Sequence, residues 1–469
     1  MTTAIRLSKS RFVSGLQCHK QLWWKVHEPR APELEVEPAL KHRLEQGAEV
    51  GQAARRYVPG GEYEAGFVAA DTAVAVDILE RHADGVALIE VKASNHVKKE
   101  HIPDVALQVH VLRQTGLRVR RAEVMHLNPA CRFPDLDALF LREDVTEKVE
   151  LFLPVVPGEI AAQLAMLAGP LPDVPIGEHC TKPYACPFLA RCWPTLPEHH
   201  ISTLYTIPHR KVEEYQARGI ETIYDLPTDL ELGVIHARQV KAVTTGRMVV
   251  EPSLAAALAE FVPPLAYLDF ETVSYAIPRF TGCRPWENMP VQCSVHREEA
   301  TGRFTHHAFL ADGPEDPRPA MAELVVEACA GVKKVVAHHA TFERECLKNL
   351  AAAAPRLAAE LDAIEARLVD LLPLVRHHIY HPDFGGSFSI KRVLPALVPG
   401  LSYDDLEIND GETASLELMR LLFDQTLKGE ERAGVRRSLL AYCERDTWAM
   451  VKLLERIRSL AGVEQLELF

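Results

Sequence analysis

The stretch "DTAVAVDILERHADGVALIEVKAS" (residues 71–94) consists of two alternating segments rich in β-branched residues around Asp84-Gly85. Alternation with period 2 predicts two strands, and the Asp-Gly pair predicts a two-residue hairpin turn between them. A type I′ turn centred there sets residue 83 opposite 86, 79 opposite 90 and 77 opposite 92. Asp77, Glu90 and Lys92 then share one face of the hairpin. Leaving two carboxylates buried without partners is costly, and a divalent cation held between them removes that cost. The lysine can then orient or help deprotonate a water, or neutralise phosphate charge. A solvated hairpin with a cross-strand ion pair is the plain alternative.

Around this stretch the chain has 469 residues, 47% hydrophobic and 25% charged, which predicts several folded domains and excludes disordered, collagen-like and coiled-coil classes. No apolar run of the length a membrane span needs is expected, and "MTTAIRLSKSRF" lacks the apolar centre of a secretory signal. The expected location is cytoplasmic, with no membrane partner. A net charge of −13 argues against a protein that coats nucleic acid non-specifically. Locally the balance reverses: residues 1–30 carry Arg6, Lys9, Arg11, Lys20, Lys25 and Arg30 against Glu28 alone.

Ten cysteines in such a chain are expected as ligands or buried thiols. Cys131, Cys283, Cys293, Cys329, Cys346 and Cys443 stand alone and read as small buried residues. "CTKPYACPFLARC" is different, with Cys180, Cys186 and Cys192 on a proline-broken segment. Three thiolates on an irregular loop suit a soft metal centre that needs a fourth ligand, and Cys18 in "SRFVSGLQCHKQLWW" is the candidate. Such a centre would clasp the two ends of one domain. His19 and His179 leave zinc as an alternative to iron–sulphur.

An Asp, about a dozen residues and then Glu-x-Lys resembles the PD-(D/E)xK nucleases of the RecB type. The cysteine pattern, one before these motifs and three after, resembles their 4Fe–4S subgroup, which includes CRISPR-associated RecB-like nucleases and AddB. The resemblance covers roughly residues 5 to 197. It implies Asp77, Glu90 and Lys92 as catalytic residues, with Gln108 beside them, and Cys18, Cys180, Cys186 and Cys192 as cluster ligands. Leu112 stands where that family often has a tyrosine after the glutamine. An upstream helix usually adds a metal-binding histidine; here "HRLEQGAEVG" offers Glu49, with His42 a turn or two earlier.

Residues 199–252 read as short helices separated by Gly219 and Pro227. "VEEYQARGIETIYDLP" resembles a helix–hairpin–helix element, whose turn amides meet a DNA phosphate. A helical connector between domains is the plainer reading.

Further on, "PPLAYLDFETVSYAIPRF" predicts an apolar strand with Asp269 and Glu271 on one face. The amphipathic segment "SLLAYCERDTWAMVKLLERI" puts Tyr442 and Asp446 on one face of a helix. Asp-x-Glu on a strand with Tyr-x-x-x-Asp on a late helix resembles the DEDD exonucleases of the DnaQ-like, RNase H-type fold, in the variant marked by tyrosine. "VVAHHATFERECL" resembles the middle motif, with Glu343 at the usual aspartate and His339 at the usual asparagine. The resemblance implies two Mg²⁺ or Mn²⁺ ions held by Asp269, Glu271, Glu343 and Asp446, with Tyr442 orienting the attacking water. Asp370 and the Gly-Gly-Ser turn before Lys391 lie in a further string, "VDLLPLVRHHIYHPDFGGSFSIKRVLPAL", read as a loop entering a helix or a phosphate contact. This part, about residues 255 to 469, resembles a DnaQ-like domain fused behind RecB-type iron–sulphur nucleases.

The expectation is an α/β chain with three parts. Residues 1–198 would form a restriction-endonuclease-like domain with a 4Fe–4S cluster. Residues 199–252 would form a helical connector, and 253–469 an RNase H-like exonuclease domain. The implied activity is metal-dependent hydrolysis of DNA phosphodiesters, 3′→5′ in the second domain, with ends or single strands preferred and RNA also open. A DNA-binding module with one degenerate nuclease site is the alternative, as is a zinc-stabilised scaffold.

Overall fold

The computed structural model describes residues 6–193, 195–300 and 303–462 as a mixed α/β chain. It divides into two compact units, one up to residue 195 together with Ser274–Glu287, the other spanning Leu196–Val273 and residues from Asn288 onward.

In the first unit, five strands lie in chain order across one sheet: β1 (Glu62–Ala69), β2 (Thr72–His82), β3 (Gly85–Lys92), β4 (Val119–Leu127) and β5 (Phe140–Asp144). All neighbours are antiparallel except β3 and β4, which run parallel. A parallel pair needs a crossover, and helix α4 (His101–Gln114) supplies it. Before the sheet come α1 (Lys9–Gln17), α2 (His19–His27) and α3 (Pro38–Ala54). Phe12 of α1, Val76, Leu79 and Leu88 of the hairpin and Val105 and Val109 of α4 form one buried core. Along β3, residues 86, 88, 90 and 92 share a face, so the row that begins with buried Val86 and Leu88 continues as Glu90 and Lys92.

The hairpin forms as expected, but its turn is one residue earlier. His82 pairs with Gly85 and Leu79 with Leu88, so Ala83-Asp84 make the loop. Every partner across the hairpin moves by two residues from the expected register. Because side chains alternate with period 2, this shift preserves the face, and Asp77 comes opposite Glu90 instead of Lys92. Gly85 explains the choice. It sits at φ 147°, and a Cβ there would lie 2.3 Å from the Arg118 carbonyl oxygen, which accepts the Val86 N–H.

Residues Thr146–Leu167 form a run of helical segments that contains an 18-residue window of mean hydropathy 1.4, long and apolar enough to cross a membrane by length and composition, which the sequence reading had not expected. Val149 and Val156 are buried in the unit's core, and Gln163 Nε2 donates to the Phe12 carbonyl at 3.1 Å. The six solitary cysteines are buried.

The second unit has a sheet of β6 (Leu265–Val273), β7 (Met289–Ala300), β8 (Arg303–Leu310), β9 (Lys334–Ala337) and β10 (Leu368–Asp370). The spatial order is β10-β9-β6-β7-β8, with β6 in the middle. The β6–β7 and β7–β8 pairs are antiparallel; β9 runs parallel to β6 and β10 to β9. Helices α5 (Thr341–Ala353), α6 (Ile390–Leu397), α7 (Gly411–Phe423) and α8 (Gly429–Leu460) accompany this sheet. Residues 196–252 group with this unit, including the helices His209–Gln216 and Val234–Thr245. Pro208 caps the first of these helices from outside, with the helix starting at His209. Val249–Val250 pairs antiparallel with Ile379–Tyr380, which ties the segment into the same unit.

Candidate functional site

The sequence motifs come together in three clusters of side chains. The first lies under α4. Glu90 is buried at the end of β3 and is surrounded by donors: Lys9 Nζ reaches both its oxygens at 3.0 Å, Lys92 Nζ lies 2.6 Å from Oε1, and Gln108 Nε2 lies 2.7 Å from Oε2. Lys92 also donates to Asp104 at 2.6 Å, and the Val91 N–H donates to Asp77 at 2.8 Å. Asp104 and Gln108 stand one turn apart on α4, which is why both reach the same strand. Burial pushes Glu90 up, but Lys92 and Lys9 overcome it and hold the carboxyl at about 2. Burial and the neighbouring Glu90 push Asp77 up to about 7. The sequence-derived residues Asp77, Glu90, Lys92 and Gln108 are thus brought together. Lys9 and Asp104 were not identified with them, because one sits eighty residues upstream and the other lies outside any motif.

Glu49 is placed elsewhere. It is exposed near the end of α3, and its Oε2 pairs with Arg279 at 3.3 Å. His42 instead meets Gln46 Nε2 at 2.8 Å through its own Nε2. The reason is local: residues 274–287 pack on this helix, with the Ala276 N–H donating to Gln46 Oε1 at 2.6 Å. Neither residue is hydrogen-bonded to the Glu90 cluster. Leu112 is fully buried in the core, filling an apolar position.

The second cluster is made of thiols. Cys18, Cys180, Cys186 and Cys192 line one cavity together with His179, Lys20 and Trp24. Cys18 lies between α1 and α2, and the other three lie on the loop that follows residue 177. Gln17 Nε2 bridges the two segments, donating to the His179 carbonyl at 2.8 Å and the Tyr184 carbonyl at 2.7 Å. Trp23 Nε1 donates to the Gly169 carbonyl at 3.0 Å, which anchors the approach to the loop. The Arg191 guanidinium lies over the adjoining rings of Trp24 and Phe188 and pairs with Glu28 and Glu33. Burial pushes the Cys18 thiol up, and negative charge on the neighbouring Cys186 and Cys180 pushes it the same way.

The third cluster lies on the middle strand of the second sheet. Asp269 and Glu271 share a face of β6, and with Asp446 of α8 they offer carboxylate oxygens within 4.8 Å of one another. Tyr403 donates to Asp446 Oδ1 at 2.6 Å, and Cys443 donates to Asp269 Oδ2 at 3.6 Å. Glu343, in the first turn of α5, is 3% exposed, and its Oε2 has no hydrogen-bond partner. Burial and the other acids push Glu271 up to about 8 and Asp269 well above the carboxylate range; burial pushes Glu343 to about 8 and Asp446 to about 6. Lys391 Nζ lies 3.3 Å from the Tyr442 hydroxyl, within cation–π range of Tyr442 and Tyr403. Asp370 acts one step back. It accepts the His339 and Ala340 N–H groups at 2.9 and 3.1 Å, pinning the left-handed His339 (φ 77°) before the helix that carries Glu343. Tyr403 was missed from the sequence because it sits on an irregular segment with no period or spacing to mark it.

Residues 266–389 match the family described as "Domain of unknown function (DUF2779)". The chain is also 26% identical over 208 residues to the "Uncharacterized protein MG366 homolog" of Mycoplasma pneumoniae (strain ATCC 29342 / M129 / Subtype 1). That match covers 40% of this chain and 31% of the relative, so the chain spans about a third of the relative's length.

Proposed function

We propose that the chain is a metal-dependent nuclease with two catalytic centres, one in each unit, acting on DNA. The observation that carries this reading is the acidic group on β6, α5 and α8. Three carboxylates converge there, with Glu343 close enough to act on Asp269 and Glu271 electrostatically, Lys391 stands beside them, and one buried Glu343 oxygen lacks a partner. Such a site suits divalent cations, which lower the cost of holding the carboxylates ionised. The sheet orders support the finer readings, a restriction-endonuclease-like core in the first unit and an RNase H-like core in the second.

Divalent Mg²⁺ or Mn²⁺ held by Asp269, Glu271, Glu343 and Asp446 would supply charge stabilisation at the attacking and leaving oxygens of a phosphodiester. Tyr442 would orient the attacking water through its hydroxyl, and Lys391 beside it would attract the phosphate. In the first unit Asp77 and Glu90 would bind the cation, while Lys92 would hold the nucleophile or balance phosphate charge and Gln108 would fix Glu90. The four thiols provide the Cys₄ donor set of a 4Fe–4S cluster, the centre we assign to Cys18, Cys180, Cys186 and Cys192. A cluster would make anaerobically purified protein brown, whereas zinc, which the same thiols also suit, would leave it colourless.

A second reading rests on Lys9. Its ammonium sits 3.0 Å from Glu90 and 3.7 Å from Asp77, where a cation bridging the two would be placed. With the lysine in that position the first site would bind DNA without cutting it. One experiment separates the readings: cleavage of single- and double-stranded DNA and RNA, labelled separately at each end, by wild type, Lys92→Ala, Asp269→Ala and the double variant. Two active centres require partial loss in each single variant and complete loss in the double. Unchanged cleavage by the double variant would overturn the nuclease reading, and loss in Asp269→Ala alone would favour the second.

A further inference from the structure

Away from the acidic group, the second unit contains a cluster that the nuclease reading does not use. His296 on β7, His306 on β8 and Glu444 on α8 each offer a ligand atom, and these atoms lie within 4.8 Å of one another. His296 is buried, whereas His306 and Glu444 are exposed. The two imidazoles stack at 4.4 Å between centroids, and a cavity of about 360 Å³ opens beside them, lined by His296, Glu444, Arg445 and Trp448.

The hydrogen-bond chain behind the rings decides which nitrogens are free. With Thr447 Oγ1 assigned as donor to the Glu444 carbonyl at 3.1 Å, its oxygen is left to accept from its other neighbours. It therefore accepts from His296 Nδ1 at 2.8 Å and from Ser294 Oγ at 2.7 Å. Ser294, having given its proton to Thr447, accepts from His306 Nε2 at 2.9 Å. This ordering protonates His296 on Nδ1 and His306 on Nε2. The lone pairs left over are His296 Nε2 and His306 Nδ1, and the latter lies 3.8 Å from Glu444 Oε1. Both imidazoles thus have one nitrogen anchored by a buried hydroxyl, as metal-binding histidines usually do.

We propose that His296, His306 and Glu444 form a binding site for a borderline divalent cation of the Zn²⁺ type, with a coordination position open toward the adjoining cavity. Two imidazoles and one carboxylate with an open fourth position suit Zn²⁺, whereas Mg²⁺ prefers oxygen ligands. The site differs in ligand type from both the thiol group and the acidic group, so its metal is distinguishable from theirs.

The test is metal stoichiometry and the Co²⁺ absorption spectrum of the full chain, with the cysteine site blocked by Cys180→Ser and Cys186→Ser. In that background, Co²⁺ should give visible bands of nitrogen and oxygen ligation without thiolate charge transfer, and added Zn²⁺ should displace it. His306→Ala and Glu444→Gln, both at exposed positions, should each lose that signal. Ser294→Ala, which removes only an anchoring hydroxyl, should weaken Zn²⁺ binding about 10- to 100-fold while leaving the bands in place. Mg²⁺ in excess should not compete. If His306→Ala and Glu444→Gln bind as much Zn²⁺ as the parent, with unchanged circular dichroism, or if the parent binds none, the proposal is overturned.

Discussion

Glu343 is a carboxylic acid with almost no access to water and one oxygen without a partner. In the metal-free protein its carboxyl lies at about 8, and Glu271 lies there too. The unfolded chain releases these protons near the ordinary value of about 4.3. Between the two values the folded form therefore holds more protons, and stability falls as pH rises through that window. In chelator, urea unfolding should show this loss from about pH 5 to about pH 8. Glu343→Gln removes one of the raised carboxyls, so the slope should become shallower, and Mg²⁺ should stabilise wild type more at pH 8 than at pH 5. An unchanged slope in Glu343→Gln would refute the assignment. The same residue shows what could be seen in sequence. Its motif marked it as a site acid, but its burial depends on α5 packing, which no local pattern records. Lys391 was read as a loop residue or a phosphate contact, and only the fold brings it beside Tyr442.

At the scale of elements, the hairpin was legible because alternation and a turn signal coincide in one short stretch. Its register was not, because Asp84-Gly85 is the stronger local turn signal, yet the chain turns at Ala83-Asp84. The choice is made by the Arg118 backbone just before β4, which approaches Gly85 too closely for any side chain. Gly85→Ala should therefore cost on the order of 1–3 kcal/mol through overpacking. Gly60→Ala makes the comparison: it also has positive φ, 92°, but a Cβ there meets nothing within 4 Å. Denaturant unfolding of both variants should find Gly85→Ala clearly the less stable. Equal losses would mean that backbone strain alone is at work. The helix carrying Glu49 was legible too, but the partner of Glu49 was not. Arg279, which it meets, is more than two hundred residues away in sequence, and the packing of 274–287 on α3 has no signature in either stretch.

At the scale of the whole molecule, the thiol group links the start of the first unit to its end, so its removal should be felt there first. Cys186→Ser, purified anaerobically, should lose the brown colour and unfold the first unit at lower temperature by calorimetry, with the transition of the second unit unmoved. A colourless wild type, or a shift in both transitions together, would contradict that picture. Within a chain of net charge −13, the two acidic centres differ in their local balance. Around Glu90, the acids Asp77, Glu90 and Asp104 face Lys9 and Lys92; around Asp446, the acids Asp269, Glu271, Glu343 and Asp446 face Lys391 as the one lysine among the described residues. The first centre carries most of its countercharge within the chain, and the second must take its own from solution. Scarcity of divalent ions therefore acts on them unequally: it leaves Glu90 of the first ionised between its lysines, and keeps Glu271 and Glu343 of the second largely protonated at neutral pH. The two halves answer to different supplies, one to the polypeptide and the other to the ionic composition around it.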